Sequence, residues 1–322
     1  MISAQPPDGA GSSRVDLVDG ARALALAGMA AYHLGWDLAD FRIVSPILPF
    51  TPPMRMVSHV VACAFLGLAG VSLALAHRRG VNLPAFGKRL AIVAGAAALV
   101  TAASFFFAPG AEIWFGILHC IAAASLLALP FLRAPAVASL AAGVVAVALP
   151  FLFQSPAFDP WPLLWIGLGE RLPNTVDWYP LLPWAGVTLI GLGIAQLPAV
   201  MAWLVAPGRW RAASGPAHAL CFLGRHSLAV YLIHQPILTG LVAAAVWLGA
   251  PTLAEPKPDP AAFVAACTRA CVAGGRGQAD CEPSCRCVSD AIQHSPDADR
   301  MNSGDAGAEA RLRALADACM GR

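Results

Sequence analysis

The sequence predicts an all-α fold: a polytopic transmembrane helical bundle of about seven spans, or about eight if one short apolar segment also crosses, followed by a small Cys-rich helical tail. Three observations carry this. Hydrophobic residues are 58% of the 322-residue chain and charged residues only 12%, where a soluble domain carries about 25% charged residues. Mean hydropathy is +0.64. The apolar residues also gather into uncharged runs of the length that crosses a bilayer. A formal net charge of +2 gives no case for nucleic acid as a partner. Membrane lipid is the first partner, and a second copy of the chain, in a homodimer, is a candidate.

The elements follow in order. Residues 1–13 read as a disordered cytoplasmic N-terminus, without a cleavable signal peptide. The membrane domain is expected over 14–250, with spans at about 20–36, 55–77, 90–108, 112–132, 134–153, 178–197 and 219–249. Residues 160–169 (PWPLLWIGLG) are apolar but short; Trp161 and Trp165 suit an interfacial or re-entrant piece. Alanine and glycine are frequent in the spans, which lets helices pack closely where lipid offers no hydrophobic drive. With the N-terminus inside, Arg14, Arg22, Arg78, Arg79, Lys88, Arg89, Arg133, Arg209 and Arg211 fall on the inner side, against Arg42, Arg55 and Arg171 outside. An odd number of spans then places the tail, 251–322, outside the cytoplasm. Its six cysteines, Cys267, Cys271, Cys281, Cys285, Cys287 and Cys319, are disulfide candidates. Cys267 and Cys271 share a helix face, Cys281 and Cys285 repeat the spacing, and two such pairs across a hairpin would make two bridges, leaving Cys287 for Cys319. Connectivity stays open among about fifteen pairings. Zinc is the rival, but the spacings are not C-x2-C and His294 is the only nearby histidine, so no metal is expected.

Ionisable groups inside spans are costly and mark functional sites or pairs within the bundle. His33 lies eleven residues after Arg22, about 16 Å further along a helix. His33, His59, His119 and His234 fall at similar depth in the outer half of four spans. Glu112 stands two helical turns before His119 and shares its face if the helix is continuous. Asp37, one turn after His33, either sets an imidazole tautomer or is a solvated loop aspartate. Trp36, Trp114, Trp178 and Tyr179 could stack on a sugar; Trp114 fits the interfacial aromatic belt better. Lys88, Arg89, Arg22, Arg225 and His226 form an inner basic set able to grip phosphates, although the positive-inside rule alone explains part of it, and Arg22 could instead pair with Asp19.

Asp19 to Arg22 (D-x-x-R), FLGLAGVSLALA at 65–76, FGILHCIA at 115–122, DWYPLLPWAGVTLIGLG at 177–193 and LGRHSLAVYLIHQP at 223–236 occur in order. This set resembles the catalytic-domain family of heparan-alpha-glucosaminide N-acetyltransferase and its bacterial relatives. Arg22 and His33 also resemble the opening motif of the broader acyltransferase-3 type. The resemblance implies transfer of an acetyl group from cytoplasmic acetyl-CoA to an amino sugar or envelope glycan on the far side, N- or O-linked, in a bacterial inner membrane. The family's acetyl-bearing histidine lies in the loop after the first span; residues 34–54 hold no histidine, so His33 is the substitute by position. The roles expected are His33, Asp37 and His119 in catalysis, His59, Glu112, His234 and Trp178 toward the acceptor, and Arg22, Lys88, Arg89, Arg225 and His226 toward acetyl-CoA. A proton-coupled or small-solute transporter using the same histidines is the competing class, although no repeated halves are visible.

Overall fold

The computed structural model describes residues 15–206, 210–253, 259–273, 276–295, 306–319 and 321. Residues 1–13, and Arg14 and Arg209 of the orientation argument, lie outside them. The chain divides into two compact units, Met1–Thr252 and Leu253–Arg322. Among the described residues the first unit is helical throughout: α1 Asp16–Asp40, α2 Pro52–His77, α3 Leu83–Phe107, α4 Ile117–Ala128, α5 Ala136–Leu152, α6 Trp161–Leu164, α7 Leu181–Gln196, α8 Pro198–Val205, α9 Gly215–Arg225 and α10 Ser227–Trp247. Local chemistry sets the boundaries. Prolines open α2 at its first turn. Asn82 caps α3 by accepting the Ala85 N–H at 3.0 Å. Arg42, with φ 56°, turns the chain away after α1.

Among the described residues three helices are long and apolar enough to cross a membrane: α2, α3 and α10. The α7–α8 pair, bent by 79°, makes a fourth if it is one broken span. The other expected spans differ for visible reasons. The run at 20–36 extends into α1, whose ends carry Asp16, Asp19, Arg22, Asp37 and Asp40. The runs at 112–132 and 134–153 yield helices of only 12 and 17 residues. The run at 219–249 is broken at His226 into α9 and α10, so His234 lies in the second turn of α10 rather than deep in one long span. Residues 160–169 contribute one helical turn, α6.

The core of this unit is α7, packed against α2 on one side and α5 on the other. Both crossings are glycine contacts: a Cβ at Gly70 would collide with the backbone of Thr188 and Leu192, and one at Gly186 with the backbone of Gly143 and Val147. Leu66, Leu73, Leu189 and Leu192 fill the space between. Gln196 locks it, donating to the Phe131 carbonyl at 2.8 Å and accepting from Ser139 at 2.7 Å. α1 packs against α2, α9 and α10, so whatever α1 carries is presented to those three helices.

The second unit is a helical hairpin, α11 Pro260–Ala273 and α12 Gln278–Gln293, with α13 Ala306–Cys319 beside α12. Disulfides join Cys267 to Cys285, Cys271 to Cys281, and Cys287 to Cys319. Each four-residue spacing puts two thiols on one face, so an antiparallel hairpin brings the outer pair and the inner pair together. Cys281 and Cys285 are fully buried, and with so few other buried side chains the bridges replace a hydrophobic core.

Candidate functional site

The first turns of α1 carry Asp16, Asp19 and Arg22, and the glycine at 224 brings α9 directly onto the Asp19 backbone. Asp19 is 4% exposed. Its Oδ1 accepts from Arg22 Nη1 at 2.9 Å and its Oδ2 from Arg225 Nε at 3.1 Å. Arg225 Nη2 also donates to Asp16 at 2.8 Å, and Arg22 Nη2 donates to Ser72 of α2. Of the three arginines expected to grip the donor, Arg22 and Arg225 are held by carboxylates, Arg225 through both Nε and Nη2. His226 faces its own helix: its Nδ1 bonds the Phe222 carbonyl at 2.9 Å and its ring lies on Phe222. Lys88 is exposed. Arg89 differs. It lines a narrow apolar cleft with Leu73, Phe86, Leu90, Val93, Ala122 and Ser125, has Arg22 as a charged neighbour, and has no carboxylate partner among the described residues.

The other end of α1 carries the histidine site. α1 continues through Asp40, so His33 and Asp37 do share a face. Asp37 is 4% exposed and is no loop aspartate. Its partners come from α10: Gln235 Nε2 at 2.8 Å and Thr239 Oγ1 at 3.0 Å, both on Oδ1. The imidazoles of His33 and His234 meet edge to face with centroids 5.1 Å apart. His234 Nδ1 bonds the Tyr231 carbonyl at 2.5 Å; only an N–H can do so, which leaves Nε2 of the neutral ring as an acceptor. Tyr32 packs on both His33 and Trp36. His33, Asp37 and His234 are thus one cluster. Gln235 and Thr239 belong to it and were missed, although Gln235 follows His234 in the motif and Thr239 lies one helical turn on.

His119 and His59 lie apart. His119 accepts the Gly116 N–H on Nδ1 at 3.3 Å, and its Nε2 meets Thr101 Oγ1 at 3.2 Å. Thr101 donates its own hydrogen to the Ile113 carbonyl at 2.7 Å, so Nε2 is the donor and both ring nitrogens are occupied in holding the loop ahead of α4. Glu112 does not share the His119 face: it lies in the non-helical loop ahead of α4, which begins only at Ile117, and it accepts the Gly110 N–H at 2.8 Å. His59 is exposed, bonded to the Arg55 carbonyl and resting on Trp184. Trp178 lies in the partly covered loop before α7. Its neighbours matter more. Asp177 caps α4 through the Ile117 N–H at 3.1 Å, and Tyr179 meets Ser58 of α2 at 3.1 Å. Atoms crowd the Asp177 carboxyl although the residue keeps some open surface; this burial pushes its pKa up to about 6, with the Ile117 N–H pulling the other way. Among the described residues no three His, Cys, Asp or Glu side chains gather as a metal site.

Apolar helices with a buried imidazole–carboxylate cluster at one end of α1 and a carboxylate-held arginine cluster at the other define a helical membrane protein with an internal polar site. The family model for heparan-alpha-glucosaminide N-acetyltransferase, catalytic, matches residues 14–236, well over half of the chain, and the chain belongs to that family. No curated protein and no solved structure matches it.

Proposed function

We propose that the chain is a transmembrane acetyltransferase that moves the acetyl group of cytoplasmic acetyl-CoA onto an extracytoplasmic amino sugar or envelope glycan. The observation that carries this reading is the division of α1: Arg89, a basic group without a carboxylate partner among the described residues, stands beside Arg22 near its start, and His33 stands against His234 about 16 Å further on. Arg89, with Lys88 nearby, serves the donor's phosphates, because its charge is not already committed. Arg22 and Arg225 shape that mouth through Asp19. About seven spans, counting α1 and the shorter helices, put the N-terminus in the cytoplasm and the tail in the periplasm of a bacterial inner membrane.

His33 is the base. It takes the proton of the acceptor's nitrogen or oxygen; that atom's lone pair forms a bond to the acetyl carbonyl carbon; the carbon–sulfur bond breaks; and the thiolate leaves as CoA, taking up the proton. Asp37 holds the acceptor side through α10. The test is incubation of membranes holding the full chain with radiolabelled acetyl-CoA and candidate amino sugars. Labelled acceptor with release of CoA is expected; a chain that binds no acyl-CoA overturns the reading.

A further inference from the structure

The cluster between α1 and α10 contains three enclosed polar atoms with no hydrogen-bond partner: Asp37 Oδ2, His234 Nε2 and Gln235 Oε1. All three are acceptors. Asp37 is bound on Oδ1 by Gln235 and Thr239, which also bond each other at 3.2 Å. Its second oxygen is left bare. Gln235 spends its amide N–H groups on Asp37 and Thr239, so its carbonyl oxygen remains. The Tyr231 carbonyl fixes the His234 tautomer and leaves its Nε2 lone pair open. A buried acceptor without a donor destabilises its surroundings, and here three lie in one cluster, none of them hydrogen-bonded. A protonated amine offers three N–H donors and a positive charge toward the Asp37 carboxylate. A hydroxyl offers one donor and no charge.

We propose that Gln235 is the specificity-determining residue that makes this site take an amine rather than a hydroxyl, with Thr239 as a positioning residue that holds Asp37 for it. The inference rests on the acetyltransferase reading and deepens it by naming the residues that would select the amine the family description calls for. It follows from counting donors and acceptors. A site built to hydrogen-bond a group discriminates strongly against an analogue that leaves its buried atoms unpaired. Gln235 supplies one acceptor directly and orients a second, so its loss weakens the amine and leaves the hydroxyl nearly untouched.

The experiment measures binding of glucosamine and of glucose, which differ here by one amine, to the full chain in lipid nanodiscs by calorimetry, with acetyl-CoA binding measured separately. Wild type should prefer glucosamine by tenfold or more. Gln235→Met should cut that preference to within a few-fold of unity without changing affinity for acetyl-CoA. Thr239→Val, a milder change that stands in if the first variant does not fold, should lower the preference several-fold in the same direction. Equal weakening of both sugars, an unchanged preference in the folded variants, or a wild type that binds both sugars alike overturns the inference. If acetyl-CoA still binds in that case, the acetyltransferase reading survives. A chain that shows the amine preference but binds no acetyl-CoA fails as an acetyltransferase while Gln235 keeps its role.

Discussion

Arg225 of α9 reaches across to Asp19 of α1, Nε to Oδ2 at 3.1 Å, and thereby shares a buried carboxylate with Arg22. The pair spans about two hundred residues of sequence and joins two helices whose backbones touch at Gly224. Removing Arg225 leaves the Asp19 charge half-compensated in a site that is only 4% exposed. Arg225→Gln should therefore destabilise the folded protein by about 1–3 kcal/mol, read as a lower Tm in detergent and lower yield, with little change in acetyl-CoA affinity among the folded molecules. Asp19→Asn added to it should recover part of the loss. A variant of normal Tm that binds donor tenfold more weakly would return Arg225 to the donor site.

Arg89 should behave in the opposite way. It has no carboxylate partner among the described residues and stands half-buried beside Arg22, so its removal relieves like-charge repulsion instead of breaking a pair. Arg89→Gln should leave Tm unchanged or slightly raised and weaken acetyl-CoA binding by about tenfold, the order of one charge-assisted phosphate contact. Equal affinity in the variant, measured by calorimetry, removes Arg89 from the donor site.

His33 and His119 give a direct contrast. His33 has ring contacts but, among the described residues, no hydrogen bond at either nitrogen, whereas both nitrogens of His119 are occupied in the loop before α4. His33→Ala should lower turnover by about 10²–10⁴-fold, the usual cost of losing a general base, with acetyl-CoA affinity nearly intact. His119→Ala should instead lower Tm and reduce activity in step with the folded fraction. The reverse pattern in a single-turnover assay would exchange their roles.

Much of this was legible in the sequence because it follows from local spacing. His33 and Asp37 are one turn apart on an unbroken helix, and the paired four-residue cysteine spacings lead directly to the bridges of the hairpin. What was hidden depends on tertiary contact. Nothing local shows that Asp19 would bind Arg225, or that Asp37 would turn to Gln235 and Thr239 of α10 and not to a histidine. The breaks at Gly116 and His226 were also missed, since hydropathy runs through them; they are what separates Glu112 from His119 and shortens the helix carrying His234.

Asp177 makes the pH dependence testable. Burial raises its pKa to about 6 in the folded protein, above the ordinary value of about 3.9 in an unfolded chain. For a carboxyl raised in this way the folded state binds the extra proton, so stability is greatest below the unfolded pKa and falls as pH rises from about 4 through 6. The total loss is on the order of 1–3 kcal/mol. Asp177→Asn keeps an oxygen for the Ile117 N–H and removes the charge, so it should flatten that part of the Tm–pH curve and be the more stable protein at pH 7.5. A wild-type Tm that climbs between pH 4.5 and 6.5, after subtraction of the Asn variant's profile, contradicts the burial of this carboxyl.

The Cys-rich unit connects chemistry with topology. Six cysteines in bridges, with Cys281 and Cys285 fully buried, are an arrangement that an oxidising compartment sustains, since cytoplasmic thiols are kept reduced. If about seven spans precede it from a cytoplasmic N-terminus, this unit lies outside the inner membrane, where such bridges persist. A membrane-impermeant thiol reagent applied to cells with a permeabilised outer membrane should label the tail only after reduction. Cys120 and Cys221, buried within the first unit, should stay silent in both conditions. Labelling of the tail without reduction, once the inner membrane is opened and not before, would place it in the cytoplasm with free thiols and require an even number of spans. In that arrangement the α7–α8 pair, bent by 79°, is the natural place to lose or gain a crossing, because a break of that size lets one apolar stretch enter and leave by the same face.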